Sequence, residues 1–390
     1  MAYPRVFLLL CFMGAVSMYS ISAANPIMPL YAEELGATGV LIGAVVSSFF
    51  VTRAFFEVPS GLISDRIGSR TPLIAGLLLG GLGAVGCGLA PNAYYVMVAY
   101  GLLGLGTAMF FCTVFTLVVD LMGEEMRGKS FGTYQGVATV GGLMGALTGG
   151  YIADVLSYRA TLFVCGALML SGFLLGWGSR SMRGLGTRFG ASSPARRFSL
   201  APLRSRVLVV VCAIAFLRLV SGMGIFGTVL PLYLKHHLLI EVSLIGILMA
   251  SMRVGSMTGT FGGGFLSDRV GRMPLVLTGL LLSGVAFYLL SVMRTFWLLL
   301  PVMIFTGFSS SMVFTMLPIL VAEATEADVR GTAMGLYRTS FDAGGIVGPI
   351  LFVSILEGSP LITTSFYVGM ALTLSNIPLA LLLRRRGAPT

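Results

Sequence analysis

The sequence predicts an all-α polytopic membrane protein, with twelve transmembrane helices in two pseudo-symmetric six-helix bundles, and three observations predict it. Of 390 residues, 56% are hydrophobic and 10% charged, a balance outside the range of soluble globular domains. Apolar runs of about 20 residues, the length that crosses a bilayer as a helix, follow one another with short connections. The chain also repeats itself. Sliding it by 202 or 203 residues brings Pro29-Leu-Tyr31 onto Pro231-Leu-Tyr233, Asp65-Arg66 onto Asp268-Arg269, Gly104 onto Gly307, Tyr134 onto Tyr337 and Gly141-Gly142 onto Gly344-Gly345.

The first run, 6–32, opens after Arg5 and has the composition of a secretory signal, with Ser22 and Ala24 placed like a cleavage site. Its NPIMPLY end has the counterpart just named, so the run is expected to persist as a helix. Runs at 39–61 and 72–90 flank the glycine and charge cluster GLISDRIGSR. Pro91-Asn92 precedes the run 94–121, the charged stretch 123–129 precedes 130–154, and Arg159 precedes 160–179. In the second half, 207–234 ends at Lys235, 241–263 ends before GFLSDRVGR, and 274–293 ends at Arg294. The last three runs are 296–320, 332–356 and 361–383, the final one stopped by Arg384-Arg385-Arg386. Residues 1–180 and 207–390 are thus two six-helix halves, joined by a basic linker at 181–206.

A cytoplasmic N-terminus places 18 of the 25 Lys and Arg in cytoplasmic segments, with only Arg159, Lys235 and Arg294 on the other side. The positive-inside rule then predicts both termini in the cytoplasm, in the plasma membrane of a prokaryote. The +10 net charge arises in the same loops, because no acid lies between Asp154 and Glu241. The linker arginines suit anionic lipid headgroups, so the lipid bilayer is the expected partner and nucleic acid is not. All five cysteines sit in apolar runs without CxxC spacing, and His236 and His237 are adjacent in a loop. No disulfide framework, metal site or cofactor is expected. Neither a catalytic constellation nor a phosphate loop is present, so the expected protein is no enzyme and draws energy from a gradient.

Two halves of six spans enter the membrane from the same side, which relates them by an axis along the membrane normal and favours a transporter. Within GLISDRIGSR, Gly61 and Gly68 permit a tight turn and close helix approach. Asp65 suits a helix N-terminus, while Arg66 and Arg70 suit carboxylates or carbonyl ends. Asp268, Arg269 and Gly271 stand at the copied positions. This loop resembles the one between the second and third helices of the major facilitator superfamily, and GFLSDRVGR resembles its second-half copy. The resemblance spans the chain through helix count, repeat and central loop. It implies a cytoplasmic latch, with Asp65 leaning on the helix that begins at 332 and Asp268 on the one at 130. The pairs Asp120-x6-Arg127 and Glu323-x6-Arg330 resemble the superfamily's accompanying charge relay; the alternative is that these charges only anchor helix ends.

Four arginines and two acids fall well inside the predicted spans, away from their ends: Arg53 and Glu57, Arg218, Arg253, and Arg338 with Asp342. Each charge at a helix centre costs roughly 2.5 to 3.5 kcal/mol on insertion scales, so these groups must meet partners or a wet cavity. Arg53 and Glu57 are four residues apart, as are Arg338 and Asp342, so each pair can neutralise itself, or a carboxylate can carry a proton. The surplus of two positive charges suits an anionic small-molecule substrate, held by Arg218 and Arg253, or pairing across helices to Glu57 or Asp342.

NPIMP at 25–29, which includes Asn25, resembles the end of the first helix in the twelve-helix drug and metabolite proton-antiporter branch. GVATVGGLMGALTGG at 136–150 resembles that branch's helix-5 motif, without its proline, and Tyr100 stands where the branch has an arginine implicated in proton relay. The resemblance implies proton-coupled efflux by alternating access, with protons as the coupling ion. The interior arginines favour uptake or exchange of a small organic anion, and a non-transporting sensor or scaffold is the distant third reading. A monomer is expected.

Overall fold

The computed structural model describes residues 5–121, 123–183, 205–325, 329–359, 361 and 363–384. Among these residues every regular element is helical, and twelve helices are long and apolar enough to cross a membrane. Two compact units form: Met1–Ala37 with Ser48–Ala195, and Thr38–Ser47 with Arg196–Thr390.

The first unit is built from α1 (Arg5–Glu34), α2 (Val40–Ile67, beyond its opening turns), α3 (Arg70–Leu89), α4 (Ala93–Leu121), α5 (Gly123–Val155), α6 (Tyr158–Gly178) and a short α7 (Arg180–Arg183). α1 lies against α5 and α6, and α3 against α4 and α6. Lipid tails are as apolar as leucine, so helices associate through close van der Waals packing, and small residues set how close they come. Gly141, Gly145 and Gly149 of α5 meet the backbone of Ala15, Tyr19 and Ala23 of α1, both series stepping by four. Gly104 of α4 meets the Phe49 carbonyl, and Gly76 of α3 meets Gly106, Met109 and Phe110. Arginines tie the ends of the antiparallel pair α3 and α6: Arg159 donates to the Ala90 carbonyl at 3.1 Å, and Arg70 to the Trp177 carbonyl at 3.2 Å. Each places a cation at the negative end of a helix.

The second unit contains α8 (Arg206–Gly224), a π-helical turn (Ile225–Val229), α9 (Leu230–His236), α10 (Val242–Val270), α11 (Arg272–Val292), α12 (Phe296–Glu323), α13 (Arg330–Gly358), α14 (Thr364–Leu374) and α15 (Asn376–Arg384). Its packing copies the first unit's. Gly344 and Gly348 of α13 meet the backbone of Phe216 and Val220 of α8. Gly307 meets the Met252 carbonyl, and Gly279 meets Ser309, Met312 and Val313. The glycines Gly76, Gly104, Gly141 and Gly145 recur 203 residues later as Gly279, Gly307, Gly344 and Gly348. The repeat is therefore one of helix contacts as well as residue types.

The π turn explains a one-residue slip in that register. Ala15 and Phe216, opposite matching glycines, are 201 residues apart, whereas Pro29 and Pro231 are 202 apart. Between them the Leu230 amide donates to the Ile225 carbonyl, five residues back, and the Thr228 hydroxyl donates to the Met223 carbonyl at 3.2 Å. One extra residue is absorbed as a single wide turn, and Pro231 follows it without an amide to donate.

Hydropathy and helix boundaries part company at several ends. α2 runs to Ile67, α5 begins at Gly123 and α13 at Arg330, because a hydrogen-bonded helix continues past the membrane edge through polar residues of fair helix propensity. The run expected as one helix at 361–383 is two, parted at Ser375, where the Asn376 side chain donates through Nδ2 to the Leu372 and Thr373 carbonyls. Exposed Tyr94, Tyr95, Trp177 and Trp297 sit at helix ends, as interfacial aromatics do.

Candidate functional site

The candidate residues divide between the units, with Asn25, Arg53, Glu57 and Tyr100 in the first and Arg218, Arg253, Arg338 and Asp342 in the second. In the first unit, the Tyr100 hydroxyl on α4 donates to Asn25 Oδ1 on α1 at 2.7 Å. Asn25 stands next to Pro26, in a stretch where Pro26 and Pro29 interrupt the backbone ladder of α1. The Tyr100 ring, 1% exposed, lies 5.2 Å from Phe49 of α2, and the Arg53 guanidinium sits 5.7 Å above Phe49. The Thr52 hydroxyl bridges α2 to the Gly101 carbonyl of α4 at 2.7 Å. Asn25, Arg53 and Tyr100 thus share one neighbourhood around Phe49, and Glu57, 7% exposed, lies a turn beyond Arg53 on α2. Tyr100→Phe is expected to cost only about 0.6 kcal/mol, the average for such bonds between membrane helices, read as a small drop in the melting temperature of purified protein. A loss several times larger would mean that Tyr100 holds a wider network.

In the second unit, Arg218 of α8 is 3% exposed and donates through Nη2 to Ser310 Oγ of α12 at 2.6 Å. Its guanidinium lies 5.6 Å over Phe314, which meets Phe341 of α13 edge-on at 5.5 Å. Phe341 is followed by Asp342, which is fully buried, and preceded a turn earlier by half-buried Arg338. Among the described residues no carboxylate pairs with Arg218, and its Nε has no hydrogen-bond partner. Arg253 of α10, half-buried, likewise has neither hydrogen bond nor ion pair among the described residues. Ser310 and Phe314 were not among the residues that the sequence singled out. The run Ser309-Ser310-Ser311, three hydroxyls in the middle of an apolar span, was the signal available for the first of them.

At the loops between the second and third helices of each half, Gly68 and Gly271 both adopt positive φ, +86° and +87°. Ser64 donates to the Ser69 hydroxyl at 3.2 Å across the first loop, and Gly61 faces the Cys112 sulfur of α4. Arg70 caps α6 as described, and Arg269 lies 4.5 Å over the Phe265 ring one turn earlier on α10. The side chains of Asp65, Arg66, Asp120, Arg127, Asp268 and Arg330 lie outside the described residues. Glu323 forms an ion pair with Arg272 at the start of α11. Arg272 was missed by the motif reading, although it stands 202 residues beyond Arg70 and so at the copied position. Among the described residues no cluster of His, Cys, Asp and Glu is suited to a metal.

Twelve spans in two repeated units, with an arginine and two carboxylates buried inside them, define a polytopic membrane transport protein. The family model described as Major Facilitator Superfamily matches residues 10–223 and again 211–390. The chain belongs to the Major Facilitator Superfamily and is an integral, multi-pass transporter with a small-molecule substrate. It is similar to the multidrug resistance protein MdtG of Enterobacter lignolyticus, 23% identical with 97% of this chain and 91% of that protein covered. It is also similar to the probable sulfoacetate transporter SauU of Cupriavidus necator, 25% identical with 94% and 90% covered. The crystal structure of a peptide transporter, POT, in complex with alafosfalin shares the fold, with a TM-score of 0.82 at 15% identity over 98% of this chain and 95% of that one.

Proposed function

We propose that the protein exports drug-like or metabolite molecules from a prokaryotic cell in exchange for protons, as a monomer working by alternating access with both termini in the cytoplasm. The observation that carries the coupling is the burial of two carboxylates, Glu57 and Asp342, inside membrane spans. A carboxylate withdrawn from water has its charge compensated either by a cation or by a proton, and alternating between the two couples a carrier to a proton gradient. The NPIMP end of α1, the glycine-rich α5 and the multidrug resistance relative support export as the direction. The loops around Gly68 and Gly271 brace the cytoplasmic side in this reading. A second reading, a carrier of small organic anions, is favoured by Arg218, which has no carboxylate partner among the described residues, and by the likeness to SauU.

The test is purified protein in liposomes loaded with a pH dye, challenged with lipophilic cations, neutral drugs and organic anions. Substrate-dependent proton movement is expected, falling at least about tenfold in Asp342→Asn, as loss of an acid–base group does. Substrate movement by the wild type with no proton movement would overturn the coupling.

A further inference from the structure

We infer that Arg218, Ser310 and Phe314 form a carboxylate-binding subsite, one that takes an organic anion with an aromatic or apolar body. The inference rests on the transporter reading and names the substrate class of its second unit.

Three features carry it. First, Arg218 presents more donors than the protein uses. A guanidinium has five N–H groups, yet its hydrogen bond is the one to Ser310, and Nε is buried without an acceptor. Second, Ser310 differs from its neighbours. Ser309 and Ser311 donate back to the Thr306 and Phe308 carbonyls of their own helix, as hydroxyls in spans commonly do. Ser310 instead accepts from Arg218, and its proton is donated to no acceptor among the described residues. Guanidinium and hydroxyl together therefore offer donors alone, the pattern that a two-oxygen anion satisfies. Third, the charge is unbalanced, because no carboxylate among the described residues pairs with Arg218. The ring of Phe314 beneath the guanidinium, with Phe341 edge-on to it, supplies an apolar wall for the body that carries the anion.

An arginine kept for structure and one kept for a ligand differ in their effect on the empty protein. A buried cation without a counter-ion burdens the unliganded fold, so its removal leaves that fold as stable or more so.

The experiment measures melting of the detergent-purified full chain with benzoate, 2-naphthoate and 4-biphenylcarboxylate, and with the neutral amide and the ammonium counterpart of each. At least one carboxylate is expected to stabilise the wild type at a concentration at least about tenfold below that needed for its amide, one power of ten per 1.4 kcal/mol of preference. Arg218→Gln should erase the preference for acid over amide while melting, without ligand, no lower than the wild type. Arg218→Lys should retain part of the preference, and Ser310→Ala should weaken carboxylate binding severalfold. The inference is overturned if no carboxylate stabilises the wild type, if amides or ammonium compounds do so equally, if Arg218→Gln keeps the preference, or if its empty form melts lower. The same variants in pH-dye liposomes separate the two readings. Proton-coupled flux of cations by a protein that no carboxylate stabilises in preference to its amide sinks the subsite and leaves the exporter. Carboxylate binding that depends on Arg218, without proton flux for any compound, sinks the exporter and leaves the subsite.

Discussion

Gly307→Val is expected to leave little folded protein in the membrane. The first side-chain carbon at this position would overlap the Met252 carbonyl of α10, and the facing Gly255 is pressed against the Ile304 carbonyl in the same way. Neither contact can yield by rotating a side chain, because both partners are backbone. The helices must separate, which opens the seam along α10 and α12 and breaks the bond from Ser256 to the Gly307 carbonyl. The cost sits at or above the upper end, about 3 kcal/mol, of overpacking penalties in well-packed cores. Gly104→Val, which meets the Phe49 carbonyl of the first unit, should do the same there. Gly262→Ala on α10 is the control, since nothing lies within 4 Å of the added carbon. It should be neutral or add up to about 1 kcal/mol through helix propensity. Yield and elution profile of tagged protein after detergent extraction read all three. Wild-type behaviour of Gly307→Val would mean that this glycine contact is not what holds α10 to α12.

Gly271→Val is expected to destabilise for a reason independent of packing. Only Pro274 comes near an added side-chain carbon, at 3.8 Å, so space is available. The obstacle is the backbone: φ +87° with ψ 162° is a region occupied essentially by glycine alone. The residue nevertheless cannot relax freely. Its amide donates to the Ser267 carbonyl at 3.0 Å to close α10, and α11 starts at the next residue, Arg272, which is tied to Glu323. A cost on the order of 1 to 3 kcal/mol follows, seen as a lower melting temperature with normal membrane insertion. Unchanged melting would mean that the loop re-forms in a conformation open to other residues.

Several parts of this molecule were legible before any coordinates. Span count, the repeat and the glycine–charge loops are written as local composition, and transfer of a helix into lipid depends on its own twenty or so residues. Even Arg272 was recoverable, through the offset from Arg70. The glycines of α5 were visible too, in the stretch 136–150, but as an undifferentiated set. Gly145 meets the backbone of Tyr19, whereas Gly136 meets nothing within 4 Å. Helix ends were misplaced where polar residues continue a helix into water, as at Gly123, and the π turn at Ile225–Val229 left no local mark beyond a one-residue slip between the halves.

The sequence by itself determined that this is a two-fold repeated, twelve-span membrane protein with six charges well inside its predicted spans. Tertiary structure decided which polar and charged groups meet. Arg218 meets a serine hydroxyl and the ring of Phe314, Tyr100 meets Asn25 from another helix, and Glu323 meets Arg272. The physical reason is that each residue turns a helix by about 100°, so the partner of a buried group depends on how neighbouring helices are rotated and shifted against one another. Those rotations are set by backbone-to-glycine contacts between residues far apart in the chain, such as Gly145 on Tyr19 and Gly348 on Val220.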